Sequence, residues 1–136
     1  MDFVNELQKR GKRITYAREV VCKILETSGH KHFTVEELHK LSLKKDKNID
    51  LATVYRTLEL LESINLIEHS HQVHGSGLYF VKDVHSNIHI VCEPCGDISD
   101  LDVKTSKKVN DLITSKTNFR EIKNHFVYSG FCKKCK

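Results

Sequence analysis

Two Cys-x-x-Cys pairs, Cys92 with Cys95 in HIVCEPCG and Cys132 with Cys135 in GFCKKCK, constrain this chain more than any other feature. Each turn sets two sulfurs at one edge of a metal ion, and two such turns supply the four thiolates of a closed tetrahedral zinc site. The alternative is four thiols buried apart or paired as disulfides. The N-terminus has no apolar h-region and no apolar run is long enough to cross a bilayer, so the expectation is a cytoplasmic protein with no membrane partner. A reducing cytosol then favours metal over disulfide. The gap from Cys95 to Cys132 is longer than in a compact zinc ribbon, so the ion is expected to staple the end of a domain to its middle. With 136 residues the chain holds one medium domain or two small ones, and small domains gain most from such a staple. The formal charge of +4, with Lys and Arg interleaved among Asp and Glu, argues against a polybasic tail. Cys22 falls in a helical pattern and reads as a small core or boundary residue.

The N-terminal half reads as helices. Asp2 to Arg10 forms a short helix ended by Gly11, and Ala17, Val20, Val21, Ile24 and Leu25 recur at helical spacing from Thr15 to Glu26. Thr34 and Glu37 make a capping box ahead of Val35, Leu38 and Leu41. Asp50 caps a fourth helix with Leu51, Val54, Leu58 and Leu61 inward. The wheel leaves Ala52, Thr53 and Arg56 outward and Tyr55 at the flank, the arrangement of a helix-turn-helix that presents its last helix. Leu66 to His71 and Leu78 to Lys82 read as hairpin strands, which after such helices would be the wing of a winged helix. His30 and His39 read as solvent-facing or helix-surface residues, and His74 as a loop residue. Asp83 and Val84 read as a hinge, giving two domains, 1–82 and 83–136. Past the hinge the pattern predicts a strand at Asn87–Cys92, a short strand at Ile98–Leu101, a helix from Val103 to Thr114 and a strand from Phe119 to Tyr128. The expected class is therefore α+β: a winged helix followed by a small α/β domain with a four-cysteine zinc site.

Taken together, RITYAR (Arg13 to Arg18), ATVYRTLELLE (Ala52 to Glu62), HSNIHIVCEPCG (His85 to Gly96) and HFVYSGFCKKC (His125 to Cys135) resemble the ferric uptake regulator family of metal-sensing repressors, in order and over nearly the whole chain. The resemblance implies a homodimer in which the winged helix binds a palindromic double-stranded DNA operator. It further implies that the second domain dimerises, that structural zinc sits on Cys92, Cys95, Cys132 and Cys135, and that a second divalent transition metal bridges the two domains. His32, His85 and His89 match the family's sensory ligands, with Asn87 where a His is usual. Phe80 stands where the iron and peroxide sensors place a carboxylate, and Ser86, Ile88 and Lys107 replace the ligands of a further family site. EHSHQVHG is similar to the nickel-responsive branch, in which His69 and His71 would join His125 in a second site. Asp100 matches a ligand of the peroxide-sensing branch.

Period two along a strand puts His85, Asn87 and His89 on one side. Imidazole-rich ligation suits nickel, zinc, cobalt or copper better than manganese; iron is disfavoured but stays open. Arg56 is expected to read guanine and Tyr55 thymine methyls, with Lys9, Lys12, Arg13 and Arg18 on phosphates. The alternatives are a peroxide- or redox-responsive regulator of the same family and, more remotely, a zinc enzyme. Catalytic zinc keeps an open position beside a general base, and neither His-Glu-x-x-His nor His-x-Glu occurs, so no catalysis is expected.

Overall fold

The structure, a computed structural model, describes residues 2–29, 31–71, 76–82, 88–122 and 127–135. The expectations for His30, His74, the hinge at Asp83 and Val84, His85, Asn87 and His125 lie outside the described residues. The chain divides into two compact units, Met1–His69 with Ser76–Lys82, and Ser70–Gly75 with Asp83–Lys136.

The first unit is built from four helices: α1 (Phe3–Lys9), α2 (Tyr16–Thr27), α3 (Val35–Leu43) and α4 (Leu51–Ser63). All four begin on a side chain that accepts a first-turn N–H: Asp2, Thr15, Thr34 and Asp50. Thr34 and Glu37 close a reciprocal capping box, at 3.2 and 3.0 Å. The Phe3 amide is tied to the Glu26 carboxylate, which fixes α1 against α2. The helical spacing of apolar residues puts Phe3, Leu7, Val21, Leu25, Leu38, Val54, Leu58 and Leu61 in one core at 0–1% exposure. Each such side chain contributes about 1.5–3 kcal/mol by leaving water. Cys22 belongs to this core, and burial pushes its thiol up to about 12, so it is a packing residue rather than a reactive one.

Two details of the helices differ from expectation. Leu51, expected inward, is 38% exposed because it begins the first turn of α4, past the edge of the core; Thr57 is buried instead. His39, expected on the helix surface, is half-buried with Nε2 2.8 Å from the Ile49 carbonyl, linking α3 to the approach to α4. Strands β1 (Ile67–Ser70) and β2 (Leu78–Val81) form the two-stranded wing. Phe33 bridges to Tyr79 by two backbone hydrogen bonds of 2.8 and 2.7 Å, so the wing is anchored between α2 and α3.

Among its described residues the second unit carries a three-stranded sheet in the order β4-β3-β5, with β3 (His89–Cys92), β4 (Ile98–Asp100) and β5 (Tyr128–Gly130), and one helix, α5 (Val103–Lys116), capped by Asp102. β3 runs antiparallel to β4, with His89 opposite Asp100, and parallel to β5, with Cys92 opposite Gly130. The strand expected from Phe119 to Tyr128 is corrected: β5 starts at Tyr128, while Phe119 is 71% exposed and Glu121 adopts φ +51. A left-handed residue breaks extended pairing at that point. The helix runs two residues past the expected Thr114.

Candidate metal centre and nucleic-acid interface

Sheet register builds the cysteine cluster. Pairing Cys92 with Gly130 puts Cys132 two residues beyond the end of β5, beside the Cys92 turn. Gly96 at φ +73 lets the chain turn back, with its N–H donating to the Cys92 carbonyl at 2.8 Å. Glu93 N–H donates to the Gly130 carbonyl at 2.9 Å and Ser129 Oγ donates to the Glu93 carboxylate at 3.0 Å, holding the two turns together. The four Sγ atoms of Cys92, Cys95, Cys132 and Cys135 lie within 4.8 Å of one another, and Cys95 and Cys132 sulfurs are 3.8 Å apart. Tetrahedral zinc with Zn–S bonds of about 2.3 Å sets its sulfurs about 3.8 Å apart. A disulfide needs about 2.05 Å. Backbone N–H groups of Cys132 (3.3 Å) and Cys95 face Cys92 Sγ and hold its thiol down to about 7, while hydrogen bonding with the Cys132 and Cys95 sulfurs pushes Cys135 up to about 12. Donor set and spacing fit structural zinc.

His89 is 2% exposed in β3, and its Nδ1 lies 2.5 Å from Asp100 Oδ1 across the β3–β4 pair. A carboxylate on one ring nitrogen fixes the imidazole's tautomer and orientation, the usual support of a metal-ligating histidine. Asp100, expected from its match to a ligand of the peroxide-sensing branch, is brought by the β3–β4 register to His89. In the first unit His32 is buried at 8% exposure, with its ring centroid 4.7 Å from that of Phe80. Phe80 thus packs on this imidazole at the position where a carboxylate was absent from the expected pattern. Of the wing pair, His69 stacks on Tyr79 with centroids 4.4 Å apart, while His71 is exposed and its carbonyl accepts from Val127 N–H at 2.9 Å.

On α4, Ala52, Tyr55 and Arg56 are exposed and Thr53 half-exposed, over the buried Val54, Leu58 and Leu61. Arg56 and Thr53 line one cleft with Arg13, Thr15, Arg18 and Thr57. Arg18 is half-buried, and its Nη1 donates to the Arg13 carbonyl at 2.5 Å. Thr15 and Thr57 were not singled out from the sequence; Thr15 is recognisable there as a helix cap, Thr57 by no signal. Lys9 and Lys12 are exposed outside the cleft, and Lys9 pairs with Glu6 at 3.3 Å.

A winged helix with an outward-facing arginine, Arg56, in the second turn of α4, joined in one chain to an α/β unit with a four-cysteine site, defines a metal-responsive DNA-binding regulator. A sequence model described as the ferric uptake regulator family matches residues 9–129. A peroxide-responsive repressor of Staphylococcus epidermidis is 31% identical over 99% of this chain and 89% of its own. The solved ferric uptake regulator of Vibrio cholerae, described by a rearrangement of its DNA-binding domains, has a TM-score of 0.78 at 26% identity, covering 96% of this chain and all (100%) of that one. The Helicobacter pylori regulator, described as having three functional metal-binding sites, has a TM-score of 0.76 at 28% identity, covering 98% and 88%. The chain belongs to the ferric uptake regulator family, whose members are metal-responsive transcriptional repressors. Among the described residues no helix is long and apolar enough to cross a membrane.

Proposed function

We propose that this chain acts as a homodimer that represses transcription by binding palindromic duplex DNA when loaded with a sensory metal, and that it is not an enzyme. The observation that carries the reading is α4: a capped helix whose inner residues are fully buried and whose outer face offers Tyr55, 43% exposed, and Arg56. On this account Arg56 hydrogen-bonds guanine, Tyr55 packs on thymine methyls, and Ala52 lets the helix approach the groove closely. Dimerisation falls to the second unit, where Ile90, Val103, Leu112, Ile113, Phe119, Tyr128 and Phe131 are all at least 37% exposed. Apolar exposure on that scale marks an interaction surface.

The domains would divide at residue 82, with the hinge at Asp83 and Val84. The sensory ligands would be His32 from the first domain and His85, Asn87 and His89 from the second, with Asp100 orienting His89 or adding an oxygen. A metal bound there supplies a clasp between the domains. Closure would raise DNA affinity by a coupling of about 1–3 kcal/mol, or about 5- to 150-fold. In a gel-shift assay His89→Ala should lose metal-dependent DNA binding while the protein keeps its cysteine-bound zinc. Loss of both together would show that the two sites are not separable. Arg56→Ala should lose discrimination between operator and random DNA; unchanged discrimination removes it from the reading role.

A second reading, peroxide responsiveness, is favoured by the Asp100 carboxylate at His89 and by the peroxide-responsive relative. Mild peroxide should then abolish DNA binding by the iron-loaded protein while zinc is retained. Unchanged binding discards that reading.

A further inference from the structure

Two large apolar side chains stand exposed on α4, Leu51 at 38% and Tyr55 at 43%. Four residues apart, they are neighbours along one side of the helix, with about 6 Å of axial rise between them. Tyr55 has a part in the reading of DNA proposed above, and Leu51 has none. Nor does Leu51 serve the core, since Val54, Leu58 and Leu61 fill the space beneath α4 at 0% exposure. An exposed leucine by itself calls for no explanation. What sets this one apart is where it stands.

The outer face of α4 has a polarity. Its first half offers Leu51, Ala52, Tyr55 and Arg56, and its second half offers Glu59 and Glu62, all of them exposed. A phosphate backbone repels the acidic half and admits the other. The N-terminal end is also the one by which a helix-turn-helix meets base edges. Just before Leu51, the Asp50 carboxylate is turned to the helix itself, where it accepts Thr53 N–H at 2.8 Å as the cap. Helical side chains lean towards the N-terminus, which carries Leu51 ahead of Tyr55 into the groove.

The backbone under Leu51 is fixed from both sides of the cap. Ile49 is 4% exposed, and His39 Nε2 lies 2.8 Å from its carbonyl, so α3 holds the approach to α4 while Asp50 holds its first turn. A short side chain on a fixed backbone loses little freedom when it makes a contact. The apolar feature that a base pair shows in the major groove is the C5 methyl of thymine.

We propose that Leu51 is a specificity-determining residue that packs on a thymine methyl of the operator, a different thymine from the one under Tyr55. The rise between the two residues is less than two base-pair steps of about 3.4 Å, so both thymines fall in one half-site. The inference rests on the DNA-binding reading above and adds a second apolar reader to it.

The test begins with selection of bound duplexes from a random-sequence pool by the full chain, in parallel with zinc, nickel, manganese and iron(II). Each thymine of the enriched duplex is then replaced singly by deoxyuridine, which removes the C5 methyl and keeps the pairing. With the unsubstituted chain, two thymines of a half-site should each lose about fourfold in affinity on replacement, the scale of one buried methyl group. Leu51→Ala should make one of these replacements neutral and leave the other unchanged, and Tyr55→Ala should do the reverse. Leu51→Met keeps apolar reach and should retain both effects. Alanine is a good helix former, and unchanged hydrogen-exchange protection of Val54, Leu58 and Leu61 shows that the lost sensitivity reports contact rather than folding. Leu51→Ala with both thymines still sensitive overturns the role of Leu51, as does the silencing of every sensitive thymine by Tyr55→Ala alone. An enriched duplex indifferent to deoxyuridine in the unsubstituted chain overturns it too. No enriched sequence with any of the metals refutes the DNA-binding reading, and the inference with it.

Discussion

Gly77, at the start of the returning wing strand, makes room for a ring. A Cβ there would stand 2.1 Å from His69 Nε2, 2.8 Å from its Cδ2 and 3.3 Å from its Cε1. That ring is stacked on Tyr79, with planes 2° from parallel, and its Nδ1 is 4.0 Å from Glu62 Oε1. Gly77→Ala therefore drives the imidazole off its partner. Losing the stack costs about 0.5–1.5 kcal/mol, and forcing a methyl into the filled space costs about 1–3 kcal/mol. The reduced freedom of the unfolded alanine chain returns about 0.4–1 kcal/mol. The net expectation is a loss of about 1–3 kcal/mol. In a His69→Ala background the colliding ring is gone, and the same substitution should become neutral or stabilising by up to about 1 kcal/mol. The sign reversal is the signature, and a double-mutant cycle measures it. A chain of two units does not give one two-state melt, so the assay is amide hydrogen exchange of the buried turns of α2 and α4, which reports the first unit by itself. Equal destabilisation in both backgrounds would refute the claim that this ring is what the glycine accommodates.

Three further outcomes follow from the same geometry. Thr34→Ala removes the capping-box hydroxyl of α3 and should cost about 1 kcal/mol, read by amide hydrogen exchange in the first unit; a change under about 0.3 kcal/mol would put the start of α3 elsewhere. Asp50 has its carboxyl lowered below the ordinary 3.8 by hydrogen bonds from Thr53, so its contribution is present above 3.8 and lost as pH falls through the lower folded value. Asp50→Asn keeps an acceptor at the cap and should flatten that acid limb of the stability profile while leaving neutral-pH stability nearly unchanged. Cys132→Ser removes one thiolate while keeping the backbone N–H that donates to Cys92 Sγ; metal analysis should show zinc lost, and full retention would mean that four sulfurs do not share the ion.

What was legible in the sequence was local. Thr15, Thr34 and Asp50 announce helix starts because a short polar side chain satisfies first-turn N–H groups wherever the helix lies, and the 3.6-residue spacing of Val54, Leu58 and Leu61 follows from the helix alone. The Cys-x-x-Cys turns were legible for the same reason, since each needs only its own four residues to present two sulfurs. Leu51 departs from its expected inward place, and Thr57 gives no signal of burial, because burial depends on where the helix meets its neighbours: Leu51 lies past the core edge, and Thr57 tolerates complete burial because its hydroxyl donates to the Thr53 carbonyl.

What escaped the sequence was register. Nothing in IHIVCEPCGDISD says that His89 faces Asp100 rather than Ser99, because that depends on how many residues the Cys92–Gly96 turn consumes, and one residue of slip would turn Asp100 to the other side of the sheet. The start of β5 has the same origin. The pattern predicts a strand from Phe119 to Tyr128, yet the sheet accepts only the residues that keep Cys92 opposite Gly130, because Cys132 must then reach the Cys92 turn. The zinc staple and the strand register therefore select each other. This predicts that metal removal and a one-residue insertion before Tyr128 should produce the same loss of hydrogen-exchange protection in β3, while the first unit keeps its own; an insertion that spares β3 would show that the sheet sets its register without the cysteines.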